Sequence, residues 1–164
     1  MEDIKVKELP LLVLCIIICQ AAGSIGSFFT NMSVSTWYPA LIKPQFTPPG
    51  WVIGVVWFII FILMGIALFF VWRKNLRLNN AFIKNAIVVF GVQLIVNIIW
   101  SAVFFGLQSP LYGLGVIAVL WVMILATIVM FWRVSRDAAL LLVPYILWVS
   151  FAAFLNYDIW MLNH

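Results

Sequence analysis

The sequence predicts an all-α integral membrane protein: a bundle of five transmembrane helices with the N-terminus in the cytoplasm and the C-terminus outside. Three observations predict it. First, 66% of the 164 residues are hydrophobic and 9% are charged, where a globular chain carries about 45–50% and about 25%; the mean hydropathy is +1.19. Second, the apolar residues, about 108 in number, gather into five runs that each reach the ~20 residues needed to cross a hydrocarbon core. Third, the basic residues fall on alternate connections. Too little polar sequence is left to wrap a separate soluble catalytic domain.

The first span covers 9–29. Lys5 and Lys7 precede it as they would a signal peptide, but the run outlasts the 7–15 residues of a secretory apolar region. Gln20 and Ser24 also recur inside it at helical spacing. Cys15 and Cys19 share one face at i, i+4, a spacing that admits a soft-metal pair and more commonly serves packing. The connection 30–50 holds Pro39, Pro44, Pro48 and Pro49 together with Trp37, Tyr38 and Phe46. Prolines and aromatics make a stiff, packed segment rather than a flexible linker, and this stretch reads as a lid.

The second span, 51–72, opens on Trp51. The third, 82–105, sets Gln93, Asn97 and Ser101 at successive i+4 steps with Trp100 beside them, a polar stripe fit either to glue helices or to face a ligand. The fourth covers 111–132. The fifth, 138–160, places Tyr145, Trp148, Ala152 and Asn156 on one face, and Pro144 deprives it of a backbone donor and bends it. Short connections between spans two to five make sequential helices antiparallel neighbours. Gly50-xxx-Gly54 and Ala102-xxx-Gly106 offer small-residue faces for close helix contact, within one bundle or between two copies.

Lys5, Lys7, Arg73, Lys74, Arg77, Lys84, Arg133 and Arg136 fall on one side of an alternating five-helix chain, and Lys43 on the other. The positive-inside rule assigns the first side to the cytoplasm. Topology thus accounts for the net charge of +4, and no nucleic-acid partner is expected. The single histidine is His164, so no internal imidazole is at hand for a triad, a haem axial ligand or a zinc site. Asp158 sits beside the outer interface, which leaves no charge relay for a proton-coupled carrier, and five helices do not divide into two inverted repeats.

Nine tryptophans remain to be placed. Trp37, Trp51, Trp72, Trp132 and Trp160 lie at span ends, as interfacial belt residues do. Trp57, Trp100, Trp121 and Trp148 lie too deep for a belt. At 1.5 Å per residue, Asn97 is roughly 12 Å and Trp148 about 18 Å below the outer ends of their helices. These groups, with Trp51, are expected to converge on a cavity in the outer half of the membrane. Such a cavity suits a large, flat, mainly apolar ligand that stacks on indole and phenyl faces and is oriented by Asn97 or Gln93.

Three strings carry a family resemblance: Trp37-Tyr38, Leu41, Lys43-Pro44, Thr47-Pro48-Pro49, Trp51 and Trp57; then Gln93-Leu94, Asn97, Trp100-Ser101 and Phe104-Phe105-Gly106; then Arg133-Val134-Ser135, Pro144-Tyr145, Trp148, Phe151-Ala152 and Leu155-Asn156-Tyr157. In this order and context they resemble the TspO/MBR family of tryptophan-rich sensory and translocator proteins. The resemblance implies a plasma-membrane, multi-pass homodimer whose lid closes a cavity for protoporphyrin IX, haem, and isoquinoline carboxamide or benzodiazepine-type ligands. No resident cofactor is implied. It places the ligand against Trp51, Asn97, Trp100, Trp148 and Ala152, with Tyr38, Phe46 and Gln93 nearby. Its alternatives to sensing are light-dependent oxidative degradation of protoporphyrin, with Trp51 in the photochemical role, and transport of porphyrin or lipid. Leu155 and Tyr157 begin the cholesterol pattern of animal members, but no basic residue follows within 158–162, which argues against cholesterol. The short C-terminus and the charge pattern fit a bacterial member.

Overall fold

A computed structural model describes residues 6–163, so that Lys5 and His164 lie outside the described residues. Those residues form helices and connecting turns, and no strand occurs among them. After a 3₁₀ turn at Val6–Glu8 come α1 (Leu9–Asn31), a short α2 (Trp37–Ala40) within the lid, α3 (Gly50–Leu78), α4 (Ala81–Ser101) continued by a π-helical turn at Ala102–Gly106, α5 (Pro110–Val134), α6 (Arg136–Leu141) and α7 (Val143–Leu162). By length and apolar composition these supply five membrane-crossing segments, with α6 and α7 together making the fifth.

The sequence signals explain the ends. The predicted second span stops at 72, but α3 runs on to Leu78 because Arg73, Lys74, Leu76 and Arg77 are good helix formers. It ends at Asn79 in the left-handed region (φ 47°), and the Asn80 side chain then caps α4 by accepting from the amides of Phe82 (2.8 Å) and Ile83 (3.4 Å). Ser109 and Ser135 cap α5 and α6 in the same way. The fifth span is broken at Leu142, two residues before Pro144, which has no amide hydrogen to continue the ladder. The lid contains one helical turn at α2.

Helix α1 packs between α3 and α4, α5 lies between α4 and α7, and α6 packs on α3. The α1–α3 approach is close because position 65 is glycine: a Cβ there would lie 2.6 Å from Ile16 Cα. The core contains Met64, Phe69, Ile117, Leu120 and Ile124, with Phe90 and Phe131 stacked at 5.7 Å. Ile17, Phe58, Val88, Ile95, Val122 and Leu147 point outward and exposed, as hydrocarbon-facing side chains must. At the basic end of the bundle the Glu8 carboxylate meets Arg77 at 2.6 Å and Arg73 at 3.6 Å, tying the start of the chain to α3. Arg73 is buried, and its guanidinium lies over the rings of Phe70 and Phe69.

Candidate functional site

At the opposite end, beneath the lid, lies a cavity of about 350 Å³ enclosed by α1, α3, α4 with its π turn, α7 and the lid. That volume is within the ~300–1,000 Å³ of small-molecule sites. Each wall has its origin in the local sequence. On α1, Gly23, Gly26, Ser27 and Thr30 keep helical spacing and give a wall of small side chains. On α3, Gly50 and Gly54 face the cavity with nothing within 4 Å of an added Cβ. Within the bundle, therefore, no helix packs closely on these two glycines.

Helix α4 presents Asn97, Trp100 and Ser101. Its ladder then widens by one residue, with Leu107 N–H donating to Ala102 O at 2.9 Å, and this π turn shifts the direction in which its side chains face. Phe104 and Phe105, adjacent in this turn, both line the cavity with their rings 4.8 Å apart. Such turns are common at functional sites. Trp100 stacks on Phe104 at 5.7 Å, and Trp57 lies between Phe61 (5.7 Å) and Trp100 (6.3 Å). From α7 come Trp148, Phe151, Ala152 and Asn156, with Trp148 against Phe151 at 5.4 Å.

The polar groups are paired in an ordered way. Asn97 Nδ2 donates to the Tyr145 hydroxyl (2.9 Å), which donates to Gln93 Oε1 (3.0 Å). Trp100 Nε1 donates to Asn156 Oδ1 (3.4 Å), and Asn156 Nδ2 to Pro110 O (2.7 Å). Thr30 and Ser101 share a hydroxyl contact at 3.2 Å across α1 and α4. Trp148 Nε1, by contrast, is buried with no hydrogen-bond partner among the described residues, so a cavity-lining residue holds an unused donor. No lining side chain is charged.

Replacing Tyr145 with phenylalanine would strand Asn97 Nδ2 and Gln93 Oε1 in a site where Tyr145 is 1% exposed. The expected cost is about 2 kcal/mol, read from the thermal midpoint in detergent. An unchanged midpoint would show that these amides find other partners.

The residues singled out from sequence divide into two groups. Asn97, Trp100, Trp148, Ala152 and Tyr38 line the cavity. Gln93 stands behind it, buried and bonded to Tyr145. Phe46 packs on the outside of α7, against Phe154 (5.8 Å) and Phe151 (6.3 Å). Trp51 does not join the others: its side chain is 74% exposed and absent from the cavity wall, because the cavity face of α3 at this level belongs to Gly50, Ile53 and Gly54. Sequence reasoning missed the α1 wall and the pair Phe104–Phe105. The α1 stripe was visible as small residues at i, i+3, i+4 and i+7, whereas no sequence signal announced the π turn.

The lid is held at several points. Lys43 Nζ donates to the carbonyls of Tyr38 (2.8 Å), Leu41 (3.0 Å) and Pro39 (3.3 Å) and lies over the Tyr38 ring. Burial raises the Tyr38 phenol above its ordinary pKa, so it is a neutral wall of the site. Ser33 Oγ donates to Phe105 O at 2.8 Å. Asn163, just past α7, accepts from Ile42 N (2.9 Å) and donates to Ile42 O (2.8 Å).

Fold and site together define a multi-pass membrane protein with a lidded aromatic cavity at one end of a five-helix bundle. The TspO/MBR family model matches residues 15–161. The chain is 47% identical over 161 residues to the tryptophan-rich protein TspO of Chlorobaculum tepidum, covering 96% of this chain and 98% of that one. It is 35% identical to the human translocator protein (85% and 82% covered) and 30% identical to the tryptophan-rich sensory protein of Cereibacter sphaeroides (88% and 86%). The chain belongs to the TspO/MBR family.

Proposed function

We propose that this protein is a sensory membrane receptor for tetrapyrroles, protoporphyrin IX and haem, and that the same cavity takes isoquinoline carboxamide or benzodiazepine-type ligands. The observation that carries the reading is the cavity wall: three indoles (Trp57, Trp100, Trp148) and four phenyl rings (Phe61, Phe104, Phe105, Phe151), uncharged throughout, with the Trp148 N–H left without a partner among the described residues. Flat aromatic ligands gain from ring faces, and a carbonyl or ring nitrogen would satisfy that donor. The sensory name of the Cereibacter sphaeroides relative supports the regulatory half. The charges support an orientation: Arg73, Lys74, Arg77, Lys84, Arg133 and Arg136 sit at the end away from the lid, while Lys43, the basic residue of the lid, is bonded to three lid carbonyls. We therefore place the lid outside the cell and the basic end in the cytoplasm.

In the dark, protoporphyrin should quench tryptophan fluorescence saturably. Trp148→Phe keeps a ring and loses the donor, and should weaken binding about fivefold, the worth of one hydrogen bond of about 1 kcal/mol. Non-saturable quenching, or a Trp148→Phe variant that binds as tightly as the parent, would remove the proposal's support.

A second reading, light-dependent oxidation of bound protoporphyrin by dioxygen, is favoured by indoles that line the cavity directly. The pigment would absorb the light and carry the difficult chemistry. Under illumination Trp148→Phe should slow loss of the porphyrin spectrum more than Trp51→Phe, since Trp148 lines the cavity and Trp51 does not. The reverse order would return the photochemical role to Trp51.

A further inference from the structure

A second cavity, of about 580 Å³, lies at the basic end, far from the aromatic one, where α3 and α5 finish and α4 begins. Lys74 and Arg77 enter it from α3, three residues apart and so on one helix face. Arg133 enters from the last turn of α5. The first turn of the 21-residue α4, capped by Asn80, closes the third side and brings the positive end of a helix dipole. The remaining wall is apolar: Leu78, Phe82, Ile83 and Val134.

The positive-inside rule requires basic residues at this end of the chain. It does not require three of them to converge on one hollow beside a hydrophobic wall. Two of the three, Lys74 and Arg133, have capacity for a further partner. Lys74 Nζ donates to Val134 O at 2.9 Å and retains further N–H groups. Arg77 meets Glu8 at 2.6 Å through Nη2. The exposed side chain of Arg133 has no hydrogen bond or ion pair among the described residues.

We propose that this cavity binds the phosphate of an acidic phospholipid headgroup. Arg133 and Lys74 grip the anion, and Leu78 and Phe82, both exposed, receive the start of an acyl chain. Headgroup phosphate and free phosphate share the anion chemistry. The apolar wall, at the level where the hydrocarbon-facing helices end, favours the lipid.

Native mass spectrometry of the full chain released from detergent, with phosphatidylglycerol and phosphatidylcholine of equal chain length, tests this. One phosphatidylglycerol should be retained in preference to phosphatidylcholine. Arg133→Gln should weaken its retention about fivefold, as expected for removing one cation near a membrane surface, and Lys74→Gln should act in the same direction. Lys84→Gln, at the same end but outside the cavity wall, should retain the lipid as the parent does. Equal retention of the two lipids, or a Lys84→Gln loss matching that of Arg133→Gln, would overturn the site in favour of diffuse surface charge. Displacement of the lipid by millimolar inorganic phosphate would reassign the cavity to a soluble anion.

Discussion

Alanine at Gly65 is expected to lower the stability of the bundle by about 2–3 kcal/mol. The added methyl would lie 2.6 Å from Ile16 Cα and 3.0 Å from Ile16 N. Both atoms are backbone in the middle of α1, so no rotamer change can make room, and the whole of α1 must move off α3. That motion would loosen contacts of Cys15 and Cys19, buried on α1, and of the cavity wall that α1 forms further along. Gly54→Ala is the matched control. Nothing lies within 4 Å of a Cβ there, and alanine gains about 1 kcal/mol of helix propensity over glycine. Thermal unfolding in one detergent should rank the proteins Gly54→Ala, parent, Gly65→Ala from most to least stable. Equal midpoints for the two variants would mean that α1 and α3 do not approach as closely as described.

Lidded space in this bundle is made from what each helix lacks. Helices α1 and α3 meet at Gly65; towards the lid the same two helices turn Gly26, Ser27, Gly50 and Gly54 to the cavity. On the other side the chain breaks at Leu142, two residues before Pro144, between α6, which packs on α3 and α5, and α7, which packs on α5.

Much of this was legible in sequence because the signals were of long period or strong chemistry. Five apolar runs gave five membrane-crossing segments, and Asn97, Trp100 and Trp148 could be placed in depth by helical rise alone. Two features escaped for opposite reasons. Trp51 was assigned to the cavity from its level in the bundle, but level does not fix azimuth, and Gly50 and Gly54 take the inward face there. Phe104 and Phe105 lie in the π turn at Ala102–Gly106, and apolar residues at a span end carry no sequence signal for such a turn. The continuation of α3 through Arg73, Lys74 and Arg77 was hidden by reading charge as loop, although the side chains at this end find Glu8, Val134 O and aromatic faces.

Releasing the lid should change ligand kinetics more than any change in the cavity wall that preserves its shape. Asn163 forms a two-way pair with the Ile42 backbone and also donates to Ile159 O at 2.7 Å, which locks its own amide to α7. Asn163→Ala removes both bonds to Ile42. At about 1 kcal/mol each they would be worth about thirtyfold, and solvent exposure of the site reduces the expectation to about a tenfold faster dissociation of protoporphyrin by stopped-flow tryptophan fluorescence. Asn163→Asp makes the sharper test. It is nearly isosteric and still accepts from Ile42 N, but it puts a carboxylate against the carbonyls of Ile42 and Ile159, so it should release ligand at least as fast as alanine. Packing of Phe46 on Phe154 and Phe151 would still hold the lid near α7, so association should change less than dissociation. Hydrogen exchange at the Ile42 amide supplies a readout without ligand: it should accelerate in the alanine variant and less in the aspartate variant, whose oxygen still accepts that proton. Unchanged exchange and unchanged dissociation in both variants would show that the aromatic contacts alone close the cavity.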